Sequence, residues 1–208
     1  MNETILIRGG RVIDPASHTD AMLDLLVRDG KVAWAGHDDA VHADRTLDAS
    51  GKVVCPGFID IHMHEDPLGE DGHIERCIFD TMLRMGVTTA VGGNCGSNVA
   101  DPAVYLDVVD RDGAPVNVAL YAGHSTFRRM AGATDKYAPA TEEQRRRMEA
   151  LLDAALEAGC IGVSFGLRYV PGTDMDEACR AAARCQKERR LIASHVRDDA
   201  AAIFRAIR

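Results

Sequence analysis

The residues in this chain whose types and spacing suit metal chemistry are histidines and one cysteine. His62 and His64 close the run Gly57-Phe58-Ile59-Asp60-Ile61-His62-Met63-His64, which follows Val53-Val54-Cys55-Pro56 and reads as a short buried strand. Side chains along a strand repeat every two residues, so the two imidazoles share a face and aim at one point. Neutral imidazole is the commonest protein metal ligand, and zinc takes nitrogen and sulfur donors that converge from different parts of a fold. Alone, His-x-His also describes two surface or core histidines, so the other candidates have to decide. Cys95 sits in Gly92-Gly93-Asn94-Cys95-Gly96, either as a thiolate ligand or as a small residue in a glycine-rich turn. His124 follows Gly123, His195 ends Leu191-Ile192-Ala193-Ser194-His195, and Arg168 and Tyr169 follow Ser164-Phe165-Gly166-Leu167.

The elements that must position these residues alternate. Residues 4–54 carry short strand patterns, with Asp29-Gly30 as a hairpin signal, and form a small β module in whose polar turns His18, His37 and His42 are solvated. After Pro56 the rhythm becomes strand, helix, strand, helix. A helix over 72–85 places Ile74, Cys77, Ile78, Met82 and Met85 on one face and ends at Gly86. Strands follow at 87–91, 116–121, 161–165 and 191–195, with a shorter helix over about 102–111. Residues 125–140 read as a long connection without a period, of the kind that is usually functional or mobile. Thr141 and Gln144 form a capping box ahead of an apolar stripe that runs to Gly159. Asp174 and Glu177 open a helix to about Arg190, and Asp198 or Asp199 caps a last one carrying Ile203 and Ile207.

His62, His64, Cys95, His124, Tyr169 and His195 thus all fall at the C-terminal ends of strands, where a parallel sheet with crossover helices places its ligand site. Core histidines have no reason to select the same end of every strand, so the pattern favours a metal site. An eight-fold barrel needs about 250 residues. The α/β pattern therefore predicts a partial (β/α)8 TIM-type barrel of about five strand-helix units over residues 55–208, preceded by a β module over 1–54. The alternative is a complete five-stranded open sheet.

Composition bounds the function. The chain has 208 residues, 46% hydrophobic content and a formal charge of −8, with basic residues scattered among acids. That balance argues against nucleic acid or an anionic membrane as partner and leaves a small molecule as the default. Without a basic-then-apolar start or a long apolar run, the expectation is a cytoplasmic protein. Its six cysteines include no C-x-x-C pair, and Cys77, Cys179 and Cys185 read as packed helix residues.

Pro56-Gly57-Phe58-Ile59-Asp60-Ile61-His62-Met63-His64 resembles the metal-binding signature of the amidohydrolase superfamily, whose members pair a distorted barrel with a small β-sandwich. Gly86-Val87-Thr88-Thr89, the Asn94-Cys95-Gly96 segment, Gly123-His124, Ser164 to Tyr169 with Pro171-Gly172, and Ser194 to Asp198 are similar in order and spacing to the N-acyl-D-amino-acid deacylases. The resemblance implies zinc, one or two ions, with His62 and His64 at one position, Cys95 as ligand or bridge and His195 at the second. It also makes residues 1–54 the N-terminal part of that sandwich. It implies hydrolysis of the amide of an N-acyl-D-amino acid by metal-activated water, with the general-base aspartate and a further histidine expected beyond Arg208 and none of the catalytic bases in this stretch. Arg168 and Tyr169 are then the favoured partners of the substrate carboxylate, with Arg128 and Arg129 as others and His124 as either a substrate contact or a packing residue. Two other readings are a cyclic amidase of the hydantoinase or dihydroorotase type, and a non-catalytic scaffold that keeps the fold.

Overall fold

The computed structural model describes residues 3–186 and 189–207. They divide into two units, Met1–Gly57 and Phe58–Arg208. In the first, β1 (Ile5–Asp14), β2 (Thr19–Arg28), β3 (Lys31–Gly36), β4 (Arg45–Asp48) and β5 (Val53–Val54) make one sheet in the order β3-β2-β1-β4, with β5 also paired to β1. The Asp29-Gly30 turn joins antiparallel β2 and β3, and both of its residues have positive φ.

The second unit runs β6 (Phe58–Asp60), α1 (Cys77–Arg84), β7 (Val87–Gly92), α2 (Pro102–Asp112), β8 (Asn117–Gly123), α3 (His124–Met130), α4 (Glu142–Glu157), β9 (Gly162–Gly166), α5 (Met175–Gln186), β10 (Leu191–His195) and α6 (Ile203–Ala206). Its five strands form a second sheet in sequence order, every described neighbour pair parallel. Phe79, Leu120, Leu152 and Val163 are fully buried where helices cover the sheet. Removing such side chains from water contributes roughly 1.5–3 kcal/mol each. No helix among the described residues is long and apolar enough to cross a membrane.

Several expectations need correction. β6 is an edge strand, so Phe58 and Ile59 are exposed rather than buried. The helix expected over 72–85 starts only at Cys77, and the backbone N–H of Ile74 ahead of it donates to Asp112 Oδ2 at 3.0 Å. Its buried face carries Phe79 and Met82, while Cys77 and Met85 are exposed. Cys179 is exposed as well, whereas Cys185 is buried as expected. Residues 124–130 are helical rather than irregular, since five of the seven are buried and four of those five are polar, which erases any apolar period. The helix expected to reach Arg190 is α5, ending at Gln186; residues 187 and 188 lie outside the described residues. The capping box of Thr141 and Gln144 is present in both directions.

Candidate metal centre

The site is built around a short 3-10 turn, Asn94–Gly96, that follows β7. Cys95 stands in the left-handed region at φ 56°, ψ 26°, a conformation that costs a non-glycine residue on the order of 1–3 kcal/mol and persists only where its surroundings impose it. Here they do. Gly93 has φ 74° and so little room that a Cβ would lie 2.2 Å from the carbonyl oxygen of Tyr121 in β8. From β9, the fully buried Ser164 hydroxyl donates to Gly93 O and accepts from the N–H of Gly96 at 3.0 Å. The amide of Asn94 donates to Val91 O at 2.8 Å and reaches Ile61 O at 3.2 Å and Met63 O at 3.4 Å, the two carbonyls that flank His62. The turn bearing the thiol and the segment bearing the imidazoles are thereby held by one side chain.

That arrangement brings donor atoms together. Ligand atoms of His62, His64 and Cys95 all lie within 4.8 Å of one another. Cys95 Sγ is 3.4 Å from His62 Nε2 and 3.6 Å from His195 Nδ1, so the fourth predicted ligand joins the cluster from the end of β10. The other nitrogen of His195, Nε2, is 3.0 Å from Asp199 Oδ2. A carboxylate on one ring nitrogen fixes the tautomer that leaves the other with its lone pair free, here the one that faces Cys95. Tyr169 Oη is 3.0 Å from His195 Nδ1. Burial pushes the Cys95 thiol above its ordinary value, and the bond from His195, with Arg168 nearby, holds Asp199 below the usual carboxylate value. Imidazole nitrogen with a soft sulfur suits zinc better than magnesium or calcium, so the donors present fit that metal.

The remaining predicted site residues are placed differently. His124 is 1% exposed, 3.1 Å from the equally buried Glu177 and in ring contact with Phe165, so it packs in the interior. Arg168 donates to Asp199 at 2.6 Å, in the turn after β10, and does not line the cavity that His64, Cys95 and Tyr169 share. Asp199 is therefore no helix cap. Asp198 takes the local turn, accepting from the N–H groups of Ala200 and Ala202, and α6 has no side-chain cap.

Glu65 escaped the sequence reading, and Arg128 stood there as a candidate partner of the substrate carboxylate rather than as the interior brace it is. Asn94 was legible only as part of a glycine-rich turn. Glu65, next to His64, accepts from the N–H groups of Gly93 at 2.6 Å and Val99 at 3.0 Å; burial raises its pKa against those bonds. Arg128, 1% exposed, donates to Glu177 and to the carbonyls of Ala133, Asp135 and Ala138, and so pins the loop after α3. An arginine inside a stretch with no period was the one signal of the last.

No family model matches the chain. Among curated proteins it is 32% identical over 230 residues to an N-acyl-D-glutamate deacylase of Alcaligenes xylosoxydans xylosoxydans, covering 98% of this chain and 46% of that protein. A D-aminoacylase of the same organism is also 32% identical, over 231 residues, with the same two coverages. Among solved structures, the N-acyl-D-glutamate deacylase of Bordetella bronchiseptica, complexed with zinc and a phosphonate mimic of the tetrahedral intermediate, superposes with a TM-score of 0.86 at 33% identity. That match covers 100% of this chain and 48% of that one, so the chain spans about half the length of the relatives it matches. Alike in sequence and in fold along nearly all of its length, the chain belongs with the N-acyl-D-amino-acid deacylases of the amidohydrolase superfamily.

Proposed function

We propose that this chain carries the metal-binding part of a zinc-dependent hydrolase that cleaves N-acyl-D-amino acids to a carboxylate and a free D-amino acid. The observation that carries the reading is the meeting of His62, His64 and His195 around Cys95, from three separate strand ends of one parallel sheet. These four residues would hold one or two zinc ions. When bound, zinc supplies Lewis acidity toward an amide carbonyl and brings the pKa of water down to about 7. The chain's own residues do the rest of the positioning: Asp199 orients His195, Asn94 and Ser164 fix the Cys95 turn, and Tyr169 sets its hydroxyl against His195. The general base comes from none of the described residues in this reading, since Asp198 is spent on backbone N–H groups and Asp199 on His195 and Arg168. The five strands are then part of a (β/α)8 barrel, which the exposed apolar residues of its two edge strands support, and residues 1–54 part of its companion β-sandwich.

The test is metal analysis and N-acetyl-D-amino-acid hydrolysis with the full-length protein. Cys95→Ala is expected to remove at least one zinc equivalent and most of the activity. Unchanged zinc content and rate in that variant would refute the assignment.

A further inference from the structure

Glu65 is the residue after His64, and its carboxylate reaches across to the segment that carries Cys95. Oε2 accepts from the N–H of Gly93 at 2.6 Å, and Oε1 accepts from the N–H of Val99 at 3.0 Å. Gly93 and Val99 stand on either side of residues 94–98, so one side chain closes both ends of the stretch that bears the thiol. Gly92 leaves the space this needs, since a Cβ there would lie 2.4 Å from Glu65 Oε2. Among the described residues, Glu65 is the one charged side chain bonded to the backbone of residues 93–99. Ser164 and Thr126, which also reach that backbone, offer neutral hydroxyls. Hydrogen bonds to an ionised acceptor are roughly twice as strong as neutral ones. Glu65 itself stands outside the donor cluster of His62, His64 and Cys95, and its two oxygens are engaged by backbone.

We infer that Glu65 is a positioning residue for the Cys95 thiolate: by tying both ends of the 94–98 segment to the chain beside His64, it keeps the sulfur within reach of the ion that the imidazoles hold. The inference rests on the reading of Cys95 and the histidines as zinc ligands. Cys95 needs such a hold, because its left-handed backbone, φ 56°, persists only where the surroundings impose it. With either end of the segment released, the turn can relax and carry the thiol away from His62 and His195. An amide is no substitute for the carboxylate, since it offers one oxygen and turns its own N–H groups toward the second backbone donor. Aspartate keeps the charge but is one methylene too short to span the same two N–H groups.

The experiment uses the full-length protein, stripped of zinc and titrated with cobalt(II), whose bond to a thiolate gives a charge-transfer absorption in the near ultraviolet. Two quantities are read, the cobalt affinity and the intensity of that band per bound ion, and the second does not depend on how much of the sample is folded. Wild type is expected to show the band and Cys95→Ala to lack it. Glu65→Gln should bind cobalt roughly ten- to a hundredfold more weakly, the usual cost of removing a group that orients a ligand, and with a weaker band per bound ion. Glu65→Asp is expected to do the same, and it decides the matter if the glutamine variant does not fold. An affinity equal to that of wild type, or an undiminished band per bound ion, overturns the inference even if the variant melts at a lower temperature, because Glu65 then serves the fold alone. A wild-type protein without the band, or a band that survives in Cys95→Ala, overturns the zinc-site reading itself, and this inference with it.

Discussion

At the scale of single residues, the most consequential group outside the candidate metal centre is the buried set of Arg128, Glu177 and His124. Burial alone would raise the Glu177 carboxyl, but His124 and Arg128 beside it reverse the direction and hold it below its ordinary value, so it stays ionised. A buried pair of this kind gives little net stability when whole and leaves a bare charge when broken, a loss of about 3–5 kcal/mol. Glu177→Gln keeps the shape and removes the charge, stranding the Arg128 guanidinium at 1% exposure. It is expected to lower the unfolding free energy by that amount in urea titration. A change within about 0.5 kcal/mol, ordinary for a surface site, would show that Arg128 does not depend on this partner. The reactive residue types were legible in the sequence because strand ends mark them, and the resemblance to the deacylases then singled out His62, His64, Cys95 and His195 among them as ligands. The buried triad was not legible, because nothing in a linear pattern tells a satisfied interior arginine from a solvated one.

At the scale of elements, the same distinction separates what the sequence disclosed from what it hid. α4 turns one face to water and the other to the core, so its apolar stripe and its cap could be read directly. α3 is buried on polar as well as apolar positions, and its period vanished. The segment ahead of α1 is tied to Asp112, at the far end of α2, whose carboxylate accepts from Ile74 N–H and from Arg111 Nε and touches His73. The bond from Arg111, foremost among these, holds the Asp112 carboxyl well below the usual carboxylate range. A carboxyl whose pKa is depressed on folding contributes stability above its unfolded value, about 3.9, and loses it as pH falls toward the folded value. Asp112→Asn should therefore lower the melting temperature at pH 7, and its deficit against wild type should shrink as pH falls below about 4. A deficit that is constant down to pH 2 would assign the effect to geometry rather than to charge.

At the scale of the molecule, the parallel sheet ends in two strands that have only one neighbour each among the described residues. Phe58, Ile59 and Ile61 on one side and Leu191 and Ile192 on the other are each more than half exposed. Unprotected edges with apolar side chains recruit other strands. These 208 residues alone are therefore expected to self-associate and bind an apolar dye, and a chain of the relatives' length is not. A monodisperse monomer with a cooperative thermal transition, seen by sedimentation and calorimetry, would show that these edges need no further strands.

The hydroxyl that closes the Cys95 turn has a consequence in time. Ser164 lies 71 residues after the Gly93 carbonyl to which it donates. Ribosomes add about 5–20 residues per second, so the thiol is made roughly 3–14 seconds, and the first two imidazoles roughly 5–20 seconds, ahead of the residue that closes the Cys95 turn. For that interval the nascent chain holds three soft and borderline donors with no β9 to brace them, and His195 comes later still. The order of synthesis thus places completion of the donor set after the sheet that supports it, and a metal ion captured earlier meets a different set of ligands from the one in the folded chain.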